Sequence, residues 1–289
     1  EEHARIEQKQ KVETLRVAQE AEIAARTEDS VRETERARIA REEAIQTAEI
    51  KRERLIREAE TTRDRDCLIV AGPTSRDVLA GLTDADLSQG WLTHQHATVA
   101  GKPAFLIRVS FTGELGWEVH AQNEDMPTIY QAIIDAGAKP FGMWALNSLR
   151  IEKGYRAWKG DLSTDYSLFE GGLDRFVKLD KPQDFTGKAA LMSEKQQGSK
   201  KRFVTLIVDA GDCDAPYMSC LWHDGQIVGE TTSGAWGYRL NASVALGMVR
   251  ADLAVPGTEL EVEIYGERFR AVVQEDRPLW DPENERLRA

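Results

Sequence analysis

Two hydrophobic rhythms divide this chain. Over residues 1–66 the large apolar positions are sparse and recur every eleven residues: Ile6, Val17, Ile39 and Ile50, with Glu28 interrupting, and in parallel Val12, Ile23, Ile45 and Ile56, with Thr34 interrupting. Leu15, Ala37, Ala48 and Ala59 form a third ladder, broken by Arg26. Neither glycine nor proline occurs before Gly72, and charges of both signs alternate, as in the pairs Glu22/Arg26 and Glu53/Arg57. Good helix formers with i,i+4 charge pairs predict one long helix, roughly 100 Å at about 1.5 Å per residue. An eleven-residue period corresponds to a straight or slightly right-handed coil. So thin an apolar stripe cannot be buried within a single helix, so the segment is expected to pack against a partner or another copy of itself.

At Cys67 the rhythm changes. Leu68-Ile-Val-Ala71 reads as a short buried strand, and Gly72-Pro73 reads as the opening of a helix that stops at Gly81. Residues 104–111 and 117–120 read as two strands around a turn in which Gly113 and Gly116 bracket Glu114. Residues 124–136 have helical spacing, with Met126, Ile129, Tyr130, Ile133 and Ile134 on one face, and a further helix is predicted over 142–153. Residues 183–201 form a polar, partly helical connector. From Phe203 onward six short strands are predicted, at 203–208, 219–222, 227–229, 243–249, 259–265 and 269–273. Asp224-Gly225 is the strongest hairpin signal among them. Six strands with regular turns predict a small closed barrel. The expected class is α+β in three parts: a coiled-coil-like helix over 1–66, a mixed domain over 67–197 and a β-barrel over 198–289.

Composition removes several classes of function. The net charge of -11 and the absence of a basic stripe argue against nucleic acid as a partner. No apolar run approaches the ~20 residues of a transmembrane span. Cys67, Cys213 and Cys220 are odd in number and form no Cys-x-x-Cys pair; reduced thiols in a cytoplasmic protein are expected, with a Cys213–Cys220 disulfide as the alternative. His94 and His96 sit on alternate positions just before a strand predicted over 97–100, but no third ligand accompanies them, so no metal is expected there. No Gly-x-Gly-x-x-Gly is present, hence no fingerprint for FAD or NAD. The candidate chemistry lies in Gly113-Glu-Leu-Gly116, where a carboxylate on a rigid turn can accept parallel N–H bonds from a flat heterocycle edge.

Several separated motifs occur in one order: Ser110-Phe-Thr-Gly-Glu-Leu-Gly-Trp-Glu118, Ser148-Leu-Arg-Ile-Glu-Lys-Gly154, Gly160-Asp161, Glu170-Gly-Gly-Leu173, Asp184-Phe-Thr-Gly187, Thr232-Ser-Gly234 and Ala245-Leu-Gly247. This run resembles the folate-binding aminomethyltransferase family, which includes the T-protein of the glycine cleavage system and the C-terminal module of dimethylglycine and sarcosine dehydrogenases. The closing stretch from Gln274 to Ala289 is similar to the dehydrogenase-type members. The resemblance implies a transfer of a one-carbon unit from an amine onto tetrahydrofolate, with no metal and no covalent nucleophile. It places Glu114 on the amino-pyrimidine edge of the pterin and Arg150 on the folate tail. Tyr155 or Trp158 would stack on the ring, and Trp236, Tyr238 and Arg239, following a Thr-Ser-Gly turn, would line the barrel's side of the site. Asp161 and Glu170 are expected to fix loop geometry.

The resemblance begins at about Cys67. The family's first third, which carries the aspartate held to position the reacting folate nitrogen, is expected to be replaced here by the coil, so no catalytic residue is assigned. The amine donor, or a flavin dehydrogenase domain, would be supplied elsewhere. Leu15-Arg-Val-Ala-Gln-Glu-Ala-Glu-Ile-Ala-Ala25 resembles the stalk of bacterial flotillin-type scaffold proteins. That likeness implies an alternative function: an oligomerising scaffold that carries a vestigial folate domain.

Overall fold

A computed structural model describes residues 46–47, 49–51, 64–211 and 213–289. The chain divides into two compact units, Glu1–Arg65 and Asp66–Ala289, and the account below concerns the second. The eleven-residue ladders, the long helix and its self-association fall almost wholly outside the described residues.

The first half of this unit is a four-stranded sheet in the order β1-β4-β3-β2, made of β1 (Arg65–Ala71), β2 (His94–Val99), β3 (Lys102–Ile107) and β4 (Gly116–Gln122). Period-two alternation gives the sheet a buried face: Trp117, Val119 and Ala121 of β4 and Ala104 and Leu106 of β3. Helices α1 (Ser75–Ala80) and α2 (Met126–Asp135) cover that face through Leu79, Met126, Ile129 and Ile133. Tyr130, expected on the apolar face of α2, is 42% exposed instead. Helix α1 begins two residues past Pro73, because the Ser75 hydroxyl bonds the carbonyls of Gly72 and Leu115 and ties the helix start to the Glu114 loop.

Helix α3 (Met143–Glu152), with Gly142 at its N-cap, passes from the sheet to the barrel and buries Ile151 against Phe203, Val244, Leu246 and Met248. Helix α4 (Lys188–Gln197) lies in the expected connector. The barrel is closed in the order β10-β5-β8-β7-β6-β9. Its strands are β5 (Lys201–Val208), β6 (Cys220–His223), β7 (Gln226–Gly237), β8 (Ala242–Arg250), β9 (Glu259–Ile264) and β10 (Glu267–Val273). Val204, Leu206, Leu221, Ala245, Val249, Leu260, Val262 and Ala271 belong to its core. Closure removes every edge of this sheet, and α3 covers part of its outer face through Ile151. Asp224-Gly225 and Tyr265-Gly266 both have positive φ at two successive residues, the geometry that matches the twist of a two-residue hairpin.

Three expectations are corrected. The strand over 104–111 stops at Ile107, and residues 108–115 form a loop in which Arg108 turns inward over Trp117. Only Gly113 of the bracketing pair has positive φ (77°); Gly116 begins β4, and a Cβ there would lie 2.9 Å from the Val70 carbonyl oxygen. Thr232-Ser-Gly234 is not a turn but the middle of the twelve-residue β7, at a bulge between Thr231 and Ser233. Small polar residues read as a turn, yet at Gly234 a Cβ would sit 2.1 Å from the Ala215 carbonyl, so close backbone approach explains the glycine.

Candidate functional site

Glu114 sits in the 108–115 loop, which is pinned at several points. The Leu115 carbonyl accepts from the Gly72 N–H at 2.8 Å, and the Ser110 and Thr112 hydroxyls bond each other at 3.0 Å. Glu114 Oε1 accepts from Arg239 Nη1 at 2.9 Å. Arg239, just beyond the end of β7, also donates from Nε to the fully buried Glu152 carboxylate and from Nη2 to the carbonyls of Thr112 (3.2 Å) and Leu149 (2.9 Å). Its backbone N–H reaches Glu152 Oε1 at 2.7 Å, and its guanidinium stacks over Trp280 with a centroid distance of 4.8 Å. One planar cation thus joins two carboxylates and two carbonyls, which a point-charge ammonium could not do.

This cluster contains two orphaned buried polar atoms: Glu114 Oε2 and Trp280 Nε1. Buried polar atoms without partners cost about 1–3 kcal/mol each, so such atoms mark either strain or a place for a ligand to complete.

Lys153 lies beside them, its side chain fully buried and packed under Gly113. Its ammonium donates to the carbonyls of Trp280 (3.2 Å) and Asp281 (2.6 Å) and to Asp281 Oδ2 (3.1 Å). Burial lowers the Lys153 pKa, opposed by the Asp281 contact. Burial works against the Asp281 carboxylate, but the Lys153 bond and backbone N–H groups outweigh it and hold Asp281 below the usual carboxylate range. A depressed folded-state pKa contributes stability that is present above the unfolded value of about 3.9 and lost as pH falls through the folded one. The wild-type urea midpoint is therefore expected to fall more steeply than that of Asp281→Asn between about pH 5 and pH 2, and parallel curves would refute the linkage.

Arg150 is not where the sequence reading puts it. It is buried, and all five of its N–H groups are used inside the protein: Asp161 Oδ2 (2.5 Å), the Tyr155 carbonyl (3.0 Å), Asn147 Oδ1 twice (2.9 and 2.7 Å) and Ser233 Oγ (2.7 Å). Asp161, fully buried, also accepts from Thr232 Oγ1 (2.6 Å), Ser233 Oγ (2.8 Å) and the Ala157 N–H (2.8 Å). Arg150 therefore ties α3 to β7 and leaves no donor for a folate tail; Arg239 takes the place beside Glu114. Asp161 and Glu170 do hold loops, the latter by accepting the Ser167 N–H at 3.1 Å.

Among the aromatic candidates, Tyr155 is half-buried and stacks on Phe111 at 6.0 Å and 12°. Trp158 is 66% exposed. Trp236 lines a groove of about 560 Å³ on the barrel with Asp209, Arg270 and Gln274, and Glu114 is not among the residues lining it. Tyr238 is exposed. A second groove of about 710 Å³ runs beside β1 and the start of α3, lined by Val70, Ile133, Phe141 and Met143; Glu114 is not among its lining residues.

Sequence reasoning missed Lys153, Trp280 and Asp281 as members of the cluster. Their signal was present, since Lys153 lies inside the Ser148–Gly154 motif and Trp280 and Asp281 inside the closing stretch. Among the described residues no disulfide joins Cys213 to Cys220, and no helix is long and apolar enough to cross a membrane. His94 and His96 are exposed, and among the described residues Cys67, Glu118 and His120 converge on one another.

Comparison with known proteins agrees with this architecture. The family described as "GCVT N-terminal domain" matches residues 23–181, and "Glycine cleavage T-protein C-terminal barrel domain" matches residues 201–281. Human mitochondrial dimethylglycine dehydrogenase is 41% identical over 226 residues, covering 75% of this chain and 26% of that protein. The aminomethyltransferase of Saccharopolyspora erythraea is 35% identical over 212 residues, covering 72% of this chain and 58% of that protein. The crystal structure of glycine cleavage system aminomethyltransferase T from Bartonella henselae superposes with a TM-score of 0.67 at 25% identity, covering 75% of this chain and 60% of that one. This chain thus spans about a quarter of the length of the dehydrogenase relatives and somewhat over half of the aminomethyltransferases. With both domain matches in order and the six-stranded barrel in place, the chain belongs to the glycine cleavage T-protein family and has the aminomethyltransferase fold.

Proposed function

We propose that this chain is the folate-handling part of a protein that moves a one-carbon unit from an amine onto tetrahydrofolate. The donor would derive from glycine, sarcosine or dimethylglycine, delivered by a carrier or by a flavin dehydrogenase domain. The domain division proposed is that of the sequence: 67–197 for the mixed domain and 198–289 for the barrel. Reduced thiols suit the expected cytoplasm, and equally the mitochondrion named for several relatives.

The observation that carries this reading is the unpartnered Glu114 Oε2. Arg239 orients the carboxylate through Oε1, and the other oxygen remains as an acceptor for an N–H of the pterin's amino-pyrimidine edge. The Trp280 Nε1 donor adds a second polar contact of opposite sense. These residues fit the group by hydrogen-bond complementarity. Their task would be to orient the reduced pterin so that its nitrogens meet the incoming methylene, which is catalysis by positioning. Tyr155 and Trp158 stay proposed as stacking partners, Tyr155 being the better placed through Phe111.

Calorimetric titration of the chain with tetrahydrofolate should give binding in the micromolar range. Glu114→Ala should weaken it roughly tenfold or more, about 1.4 kcal/mol, with Glu114→Gln retaining part of the affinity. Absence of heat with every reduced folate tried would dispose of the proposal.

A further inference from the structure

Outside the Glu114 cluster, the side chains with the most suggestive chemistry lie on the other face of the four-stranded sheet. Glu118 and His120 are two apart on β4, so both project from the same face. Strand β1 is hydrogen-bonded beside β4 and brings Cys67 against them. His120 Nε2 is 3.6 Å from Cys67 Sγ and 3.1 Å from Glu118 Oε2, and all three ligand atoms lie within 4.8 Å of one another.

We propose that Cys67, Glu118 and His120 form a zinc site. In a tetrahedral zinc centre with metal–ligand distances of about 2.0–2.3 Å, neighbouring ligand atoms are about 3.3–3.6 Å apart. Two edges of the triangle already have nearly that length, and side-chain rotation can close the third. A thiolate, an imidazole and a carboxylate make a mixed set that suits zinc rather than the all-oxygen shells of magnesium or calcium. Three protein ligands leave a fourth position for water or a small anionic ligand.

The neighbouring residues isolate this site from the other histidines. Phe105 is paired with His120 on one side and with His96 on the other, so the aromatic ring stands between the two imidazoles, at 6.3 Å from His120 and 4.8 Å from His96. Strands two positions apart are about 10 Å distant, beyond a shared metal. Metal binding replaces the thiol proton with zinc and releases that proton to solvent, so charge and atoms balance without any oxidant.

The test uses the whole chain, stripped of metal, titrated with Zn²⁺ against a chromophoric chelator and separately with Co²⁺ under an optical spectrum. One equivalent of zinc should bind, and the cobalt form should show a thiolate-to-metal charge-transfer band. Cys67→Ser should abolish the band, and His120→Ala should weaken zinc at least tenfold. His94→Ala/His96→Ala and Cys213→Ser/Cys220→Ser should change neither. Matching circular dichroism and melting of the metal-free variants separates lost binding from lost fold. A band that survives Cys67→Ser, or zinc affinity as sensitive to the His94/His96 pair as to His120, overturns the assignment. So does a wild-type affinity no greater than that of Cys67→Ser/His120→Ala, the result expected of a mere surface hydrogen-bond cluster. None of these outcomes depends on folate binding.

Discussion

Asp161→Ala is expected to lower the unfolding free energy by about 3–5 kcal/mol, read as a large drop in the urea midpoint with little change in slope. The substitution removes the acceptor for Arg150 Nη1, Thr232 Oγ1, Ser233 Oγ and the Ala157 N–H together, and leaves the Arg150 guanidinium buried without its counter-charge. Breaking one half of a buried pair costs far more than the pair contributes, because desolvation of the surviving charge is no longer offset. The double variant Arg150→Met/Asp161→Leu should accordingly be less damaging than the sum of its singles. A loss below about 1 kcal/mol for Asp161→Ala would show that water replaces the carboxylate and that Arg150 is not sealed in.

Arg239→Ala should be comparably severe, about 3 kcal/mol or more, and should also abolish detectable tetrahydrofolate binding. It deprives the fully buried Glu152 of its guanidinium partner, takes away the Glu114 partner and frees the carbonyls of Thr112 and Leu149. Arg239→Lys should rescue little of either quantity, since an ammonium cannot span both carboxylates and both carbonyls. Urea denaturation and calorimetry on the same preparations separate the two effects: stability lost with folate affinity retained would mean that Glu114 does not need Arg239 for orientation.

Both expectations turn on which arginine stands beside Glu114, and that was not legible from the chain. Arg150 and Arg239 are the same residue type, and both were candidates. Arg150 meets an aspartate eleven positions away and is enclosed by β7, whereas Arg239 meets Glu114 across 125 residues. Such a long-range choice depends on how α3 lies between sheet and barrel. The histidines tell the same story: His94 and His96 drew notice by their spacing, but the strand order β1-β4-β3-β2 places Cys67 beside His120 instead. Strand order is a tertiary decision, since hydrogen-bonded neighbours need not be sequence neighbours.

What the sequence settled by itself, among the described residues, was the place of most elements set by local periodicity and turn chemistry. Alternating β-branched runs separated by Asp224-Gly225 and similar turns yielded six barrel strands, and the 3.6-residue period located α2 and α3, because those signals arise from backbone geometry within a few residues. Ordered motifs likewise sufficed for family membership. Tertiary structure alone decided that Thr232-Ser-Gly234 continues a strand, that Arg150 is sealed inside, and that Glu114 keeps one oxygen without a partner. Each of those outcomes depends on the burial of a polar group against distant chain, where desolvation and close backbone contact outweigh local preference.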